Sequence, residues 1–138
     1  MADIITGNVD GVQAPGRLSG EPYYIENYLD FSVIGCGIAD TVQALRIGVD
    51  ALVENVRIDV LTAEGSAGNT DVGDGDTVDG WDADVDINAT GLTKGDGAYV
   101  DGKIYAAEDT IDLTPSIALD TAVIHISALV TPLERRSA

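Results

Sequence analysis

Most of the residues that reactions recruit are scarce in this sequence. Of 138 residues, one is cysteine (Cys36), one is histidine (His125), four are proline, seven are lysine or arginine, and aromatics make up 5%. A lone cysteine excludes an internal disulfide, and folding in a reducing cytoplasm is the simplest reading. Cys36 stands in Gly-Cys-Gly with no histidine or second thiol nearby, so it reads as a small loop residue and not a reactive thiol. No apolar stretch approaches the roughly 18 residues of a membrane-crossing helix. The opening MADIITGNVDG has no basic start followed by an apolar run, so no signal peptide is expected.

Positive charge is the next shortage. Twenty-four acidic residues face seven basic ones, a net charge of −17. Between Arg57 and Lys94 there is no lysine or arginine at all. Nucleic acid needs a basic footprint and anionic lipid repels an acidic surface, so neither is an expected partner.

Hydrophobic residues make up 45% of the chain, enough to form a core in a single domain. Val and Ile are prominent among them and are interspersed with Thr, Gly and Asp, the composition of strands joined by tight turns. Residues 1–27 lack periodicity and are broken by Gly7, Gly11, Pro15, Gly16, Gly20 and Pro22, which predicts an extended N-terminal arm. Residues 28–138 read as one β-sandwich domain with a short C-terminal tail.

From Tyr28 the alternation becomes regular. YLDFSVI sets Leu29, Phe31 and Val33 against Asp30 and Ser32, a half-buried strand. DTVQALRIG is a second strand. In ALVENVRIDVLTAE, Val56, Ile58 and Val60 alternate with Asn55, Arg57 and Asp59, with a period of two and not 3.6. WDADVDIN places Trp81, Ala83, Val85 and Ile87 inward and Asp82, Asp84, Asp86 and Asn88 outward. Asp101-Gly102 predicts a tight hairpin, and TAVIHISALVTP a long closing strand. About eight strands, spaced roughly 10 to 15 residues apart, predict an all-β, antiparallel sandwich or barrel.

The stretch GDGDTVDG invites a metal. An EF-hand reading from Asp74 fails, because Val78 and Val85 stand where ligands are required. A looser calcium site from Asp74, Asp76 and Asp79 competes with the plainer reading of a solvated acidic turn. Paired-carboxylate hydrolysis needs an acid in an apolar pocket, whereas these aspartates flank glycines. His125 has no second metal-ligating neighbour and there is no Gly-x-Ser-x-Gly elbow, so it reads as a strand histidine bonded to backbone or water. No glycine loop has the setting of a phosphate cradle. Neither catalytic residues nor a cofactor are expected.

The blocks DTVQALRIGVDALVENVRIDVLTAEG and TDVGDGDTVDGWDADVDINATG, with the later DTIDL, resemble small structural proteins of tailed double-stranded DNA bacteriophages. These are the decoration, or cement, proteins that coat the capsid. The resemblance runs from about residue 28 to 131 and departs from the family at Ile47-Gly48-Val49-Asp50, where a Pro-Ala-Gly type turn is the pattern. It implies a β-sandwich of jelly-roll type, forming a homotrimer on the outer capsid surface of the virion. It further implies binding to the major capsid protein, stabilisation of the DNA-filled head, and synthesis in the host bacterial cytoplasm. Candidate partner contacts are Arg17, Tyr23 and Tyr24 in the arm, and Arg135 and Arg136 in the tail.

The rival reading is a carbohydrate-binding sandwich on a virion or secreted surface, with a calcium ion and an aromatic platform. Trp81 falls on the apolar side of its strand, which favours core packing over such a platform.

Overall fold

The computed structural model describes residues 4–6, 21–38 and 40–133. In chain order the elements are β1 (Ile4–Thr6), β2 (Tyr23–Asp30), α1 (Phe31–Ile34), β3 (Thr41–Ile47), β4 (Ala51–Thr62) and β5 (Asn69–Gly73). They continue with β6 (Asp82–Asp86), β7 (Gly91–Lys94), β8 (Lys103–Tyr105), β9 (Asp109–Pro115) and β10 (Val123–Pro132). One sheet has the order β1-β3-β9-β5-β6 and the other β2-β10-β4-β7, with β8 paired to β4 beside β7. All pairings are antiparallel except β1 with β3. This is the expected all-β sandwich, with ten strands among the described residues where about eight were expected. Strands of three or four residues, such as β1, β7 and β8, are too short to show a periodicity.

The inner faces meet in a single core. β10 contributes Ile124, Ile126, Ala128 and Val130, and β2 contributes Ile25 and Leu29. From the other sheet come Val42, Leu45, Ile47, Val72, Ile111 and Leu113, and Trp81 lies among them at 1% exposure. Burying each large aliphatic side chain stabilises the fold by about 1.5–3 kcal/mol before chain entropy is counted.

Four expectations need correction. The strand expected from Tyr28 starts at Tyr23, so residues 23–27 of the expected arm lie in β2, paired along its length with β10, and residues 4–6 form β1 beside β3. Asn27 hid this start, because it is a polar residue at an inward position; it is satisfied there by donating Nδ2 to Ala44 O at 2.9 Å across the two sheets. Secondly, β2 stops at Asp30, whose carboxylate accepts from Ser32 N and Oγ and caps the turn α1. Val33 consequently points to solvent at 79% exposure instead of into the core.

Thirdly, the alternation of WDADVDIN is broken. Asp82 is buried and Ala83 exposed, because a bulge in the β5–β6 pairing with Asp84 at φ 57° changes which residues face inward. A similar bulge in β4, with Asn55 at φ 53°, shifts the inward set from Ala51 and Val53 to Val56, Ile58 and Val60. Fourthly, Asp101-Gly102 joins no hairpin. Residues 97–102 form a turn pinned by Gly97 N to Trp81 O and Tyr99 N to Gly80 O, and β8 pairs with β4 instead.

Candidate functional site

The loop Gly73 to Gly80 between β5 and β6 is built around Asp74. Its Oδ1 accepts from Asp76 N and Thr77 N, both at 2.9 Å, an Asx-type turn reinforced by Asp74 N to Thr77 O. The turn folds so tightly over Gly73 that a Cβ there would collide with the backbone of Thr77 and Val78. Only glycine fits that position.

The second oxygen of Asp74 faces β8. Lys103 Nζ lies 2.6 Å from Asp74 Oδ2, 3.1 Å from Asp76 Oδ2 and 3.1 Å from Tyr99 OH. Tyr105 donates its hydroxyl to the same Oδ2 at 2.7 Å, and Trp81 Nε1 donates to Tyr105 OH at 3.0 Å. The ammonium also lies 4.5 and 4.6 Å from the ring centres of Tyr99 and Tyr105, a cation–π arrangement. Burial works to raise the Asp74 pKa, but the bonds from Lys103, Tyr105 and two backbone amides outweigh it and hold the carboxyl below its ordinary value. Burial opposes the charge on Lys103, yet its partners, Asp74 foremost, raise its pKa. Tyr105 is also pushed up, by burial first and then by Asp74.

Of the three sequence-predicted metal candidates, the fold brings Asp74 and Asp76 together and leaves Asp79 exposed elsewhere on the loop. Asp109 of β9 takes the third place, with carboxylate oxygens of the three within 4.8 Å of one another. The donor set has the hard oxygens calcium prefers. Lys103 already bridges Asp74 and Asp76 and offsets one of the three negative charges, while Asp109 accepts from Gly75 N and Thr110 N. Beside this cluster is an open cleft of about 350 Å³, lined by Asp76, Lys103, Tyr105, Glu108 and Asp109 among others. Sequence spacing could not have revealed Lys103, Tyr105 and Asp109, which reach Asp74 from 29, 31 and 35 positions away.

Two carboxyls are raised. Asp112, on the outer side of β9, is pushed up to about 6 by burial, with Asp109 and Asp74 adding to the shift and a bond from Thr110 opposing it. Asp82 is raised by burial and by neighbouring Asp96. The Cys36 thiol is buried and pushed up to about 11, first by burial and then by Asp40, which keeps it protonated and unreactive. His125, expected to bond to backbone or water, has its Nε2 2.8 Å from Glu26 Oε1, and Tyr28 stacks on its ring at 4.5 Å.

The partner candidates divide. Tyr24 is 56% exposed on the outer side of β2, whereas Tyr23 packs partly against the core. Arg17, Arg135 and Arg136 lie outside the described residues. Trp81 is in the core, so it forms no part of an exposed aromatic platform.

No protein-family model matches the chain, and no curated protein matches it in sequence. Solved structures do match it in fold. A chain in the capsid of Ralstonia phage GP4 superimposes with a TM-score of 0.69 at 12% identity, covering 96% of this chain and 99% of that one. A chain in the acidic stable capsid of Helicobacter pylori bacteriophage KHP30 gives 0.63 at 13% identity, covering 85% and 92%. A chain in the capsid asymmetric unit of cyanophage Pam1 gives 0.63 at 12% identity, covering 88% and 93%. At these identities the likeness is one of architecture: this two-sheet sandwich has a fold found in bacteriophage capsids.

Proposed function

We propose that the chain is a non-enzymatic structural protein of a bacteriophage head. It acts as a decoration or cement protein that binds the outer surface of the major capsid protein shell as a homotrimer and stabilises the DNA-filled head. The observation that carries this reading is the near end-to-end match to a capsid chain, 96% of one and 99% of the other. A match that spans both chains means the capsid chain is itself a sandwich of about this size, with little left over to form another domain.

The site chemistry supports a structural role. Both oxygens of Asp74 are taken, Lys103 is held charged and Tyr105 is held protonated, so the cluster locks a loop to a strand and leaves no poised base or nucleophile. A net charge of −17 keeps a protein made in many copies dispersed before assembly. Arg17, Arg135 and Arg136 then supply basic contacts to acidic shell residues.

Heads assembled without the protein provide the test. Added protein is expected to saturate a fixed number of outer sites and to raise the temperature at which the heads release DNA. Saturable binding with no change in DNA release would remove the stabilising role, and failure to bind would remove the decoration reading altogether.

A further inference from the structure

The outer face of the β2-β10-β4-β7 sheet has an arrangement that isolated folding does not favour. Register places Glu26, Ser127, Arg57 and Lys94 in one row across the four strands, and Tyr28, His125, Asp59 and Leu92 in the next. Arg57 and Lys94 are direct cross-strand partners, both exposed, and neither is in an ion pair among the described residues. Like charges directly opposite each other on a sheet are destabilising. A chain with 24 acidic residues nevertheless places two of its seven basic ones side by side here.

Around the pair the face is apolar at its edges. Tyr24 is 56% exposed, Tyr28 and Leu92 are each 63% exposed, and Ile104 is 50% exposed. The outer side of the other sheet is different: it carries Asp71, Asp84, Asp86 and Asp112. The face with Arg57 and Lys94 also carries Glu26, Glu54 and Asp59, a formal charge of −1, whereas the other sets Arg46 against its four aspartates, −3, so the two differ in net charge and in polarity. Tyrosine and arginine amid apolar side chains are what protein interfaces favour, and an unpaired Arg–Lys couple suits a carboxylate that an arginine fork can grip.

We propose that this face seats the protein on the shell, with Arg57 and Lys94 receiving a carboxylate of the major capsid protein and Tyr24, Tyr28 and Leu92 covering apolar shell surface. This rests on the decoration reading above. The orientation turns the carboxylates of the β3-β9-β5-β6 side outward and presents the shell with the least acidic broad face.

The test compares two variants of equal net charge in the full chain. Arg57→Ala/Lys94→Ala removes two positive charges from the face, and Ala106→Glu/Ala107→Glu adds two negative ones at exposed positions in the β8–β9 connection. Binding to heads lacking the protein is measured at low and high salt, with the melting temperature and solution mass of each variant.

The first variant is expected to melt no lower than wild type, to bind heads roughly tenfold more weakly or worse at low salt, and to lose most of the salt dependence. The second is expected to bind much as wild type does. Equal weakening by both variants would reduce the effect to net charge and overturn the proposal, as would wild-type affinity in the first. Loss of self-association in the first variant without loss of head binding would assign the face to a second copy and overturn it too. Failure of the wild type itself to bind heads would instead bring down the decoration reading.

Discussion

Lys103 Nζ sits 2.6 Å from Asp74 Oδ2, and the Asp74 side chain is wholly shielded from solvent. The pair joins the β5–β6 loop to β8, two parts of the chain that share no backbone ladder. Lys103→Met would leave a buried carboxylate without its cation and is expected to cost about 3 kcal/mol, the lower end for a broken buried pair because Lys103 is partly exposed. Asp74→Asn keeps an acceptor for the amides of Asp76 and Thr77 and should cost less. Urea unfolding of both variants and of the double variant measures the coupling; additive costs would show that the pair does not act as a unit.

Glu64 is the second buried anchor. Its carboxylate accepts from the backbone amides of Asp120, Thr121 and Ala122, tying the approach to β10 against the end of β4. Glu64→Ala orphans these donors and is expected to destabilise the fold by about 2–3 kcal/mol, with Glu64→Gln retaining part of the loss. Amide exchange provides the local readout. Faster exchange confined to residues 119–123 is expected, and unchanged exchange there would refute the anchoring role.

Asn55 makes the β4 bulge with φ 53°, a left-handed conformation that asparagine and glycine tolerate and β-branched residues do not. Asn55→Gly should be close to neutral. Asn55→Val should cost about 1–2 kcal/mol, measured as a shift in the unfolding midpoint. Equal stability of the two variants would mean that the bulge can relocate along the strand.

Two kinds of carboxyl set the pH response. Asp112 is raised to about 6, so the folded state keeps its proton at a pH where the unfolded chain has lost it. Stability therefore rises as pH falls from neutral through about 6 toward the ordinary aspartate value. Asp74 is lowered, so its contribution is present above that ordinary value and fades as pH falls below it. The stability maximum is expected between about pH 4 and 6. Asp112→Asn should raise the melting temperature at about pH 8 and leave it nearly unchanged at about pH 4.5. A gain independent of pH would contradict this assignment.

Much of the sandwich was legible from local pattern. β3, β4 and β10 appear where strands were expected; bulges interrupt the alternation of β3 and β4, and that of β10 carries straight into the core. Reading failed where a polar side chain did tertiary work, as with Asn27 in β2, or where a bulge changed the inward set, as at Ala83 and Asp84. Asp74 and Asp76 were identifiable as clustered carboxylates. Their counter-ion was not, since Lys103 belongs to a three-residue strand that meets them only after β8 docks on β4.

Side-chain direction along a strand is a property of the pleat, so two-residue alternation was enough to specify extended, one-side-apolar segments and an acidic surface. Strand partners, bulge positions and the fates of individual aspartates depend on groups brought together from distant positions. Among carboxylates of one chemical type, Asp74 is paired and ionised, Asp112 is pushed toward its neutral form and Asp79 is open to water. Burial and the nearest charge separate them, and both exist only once the sheets have closed.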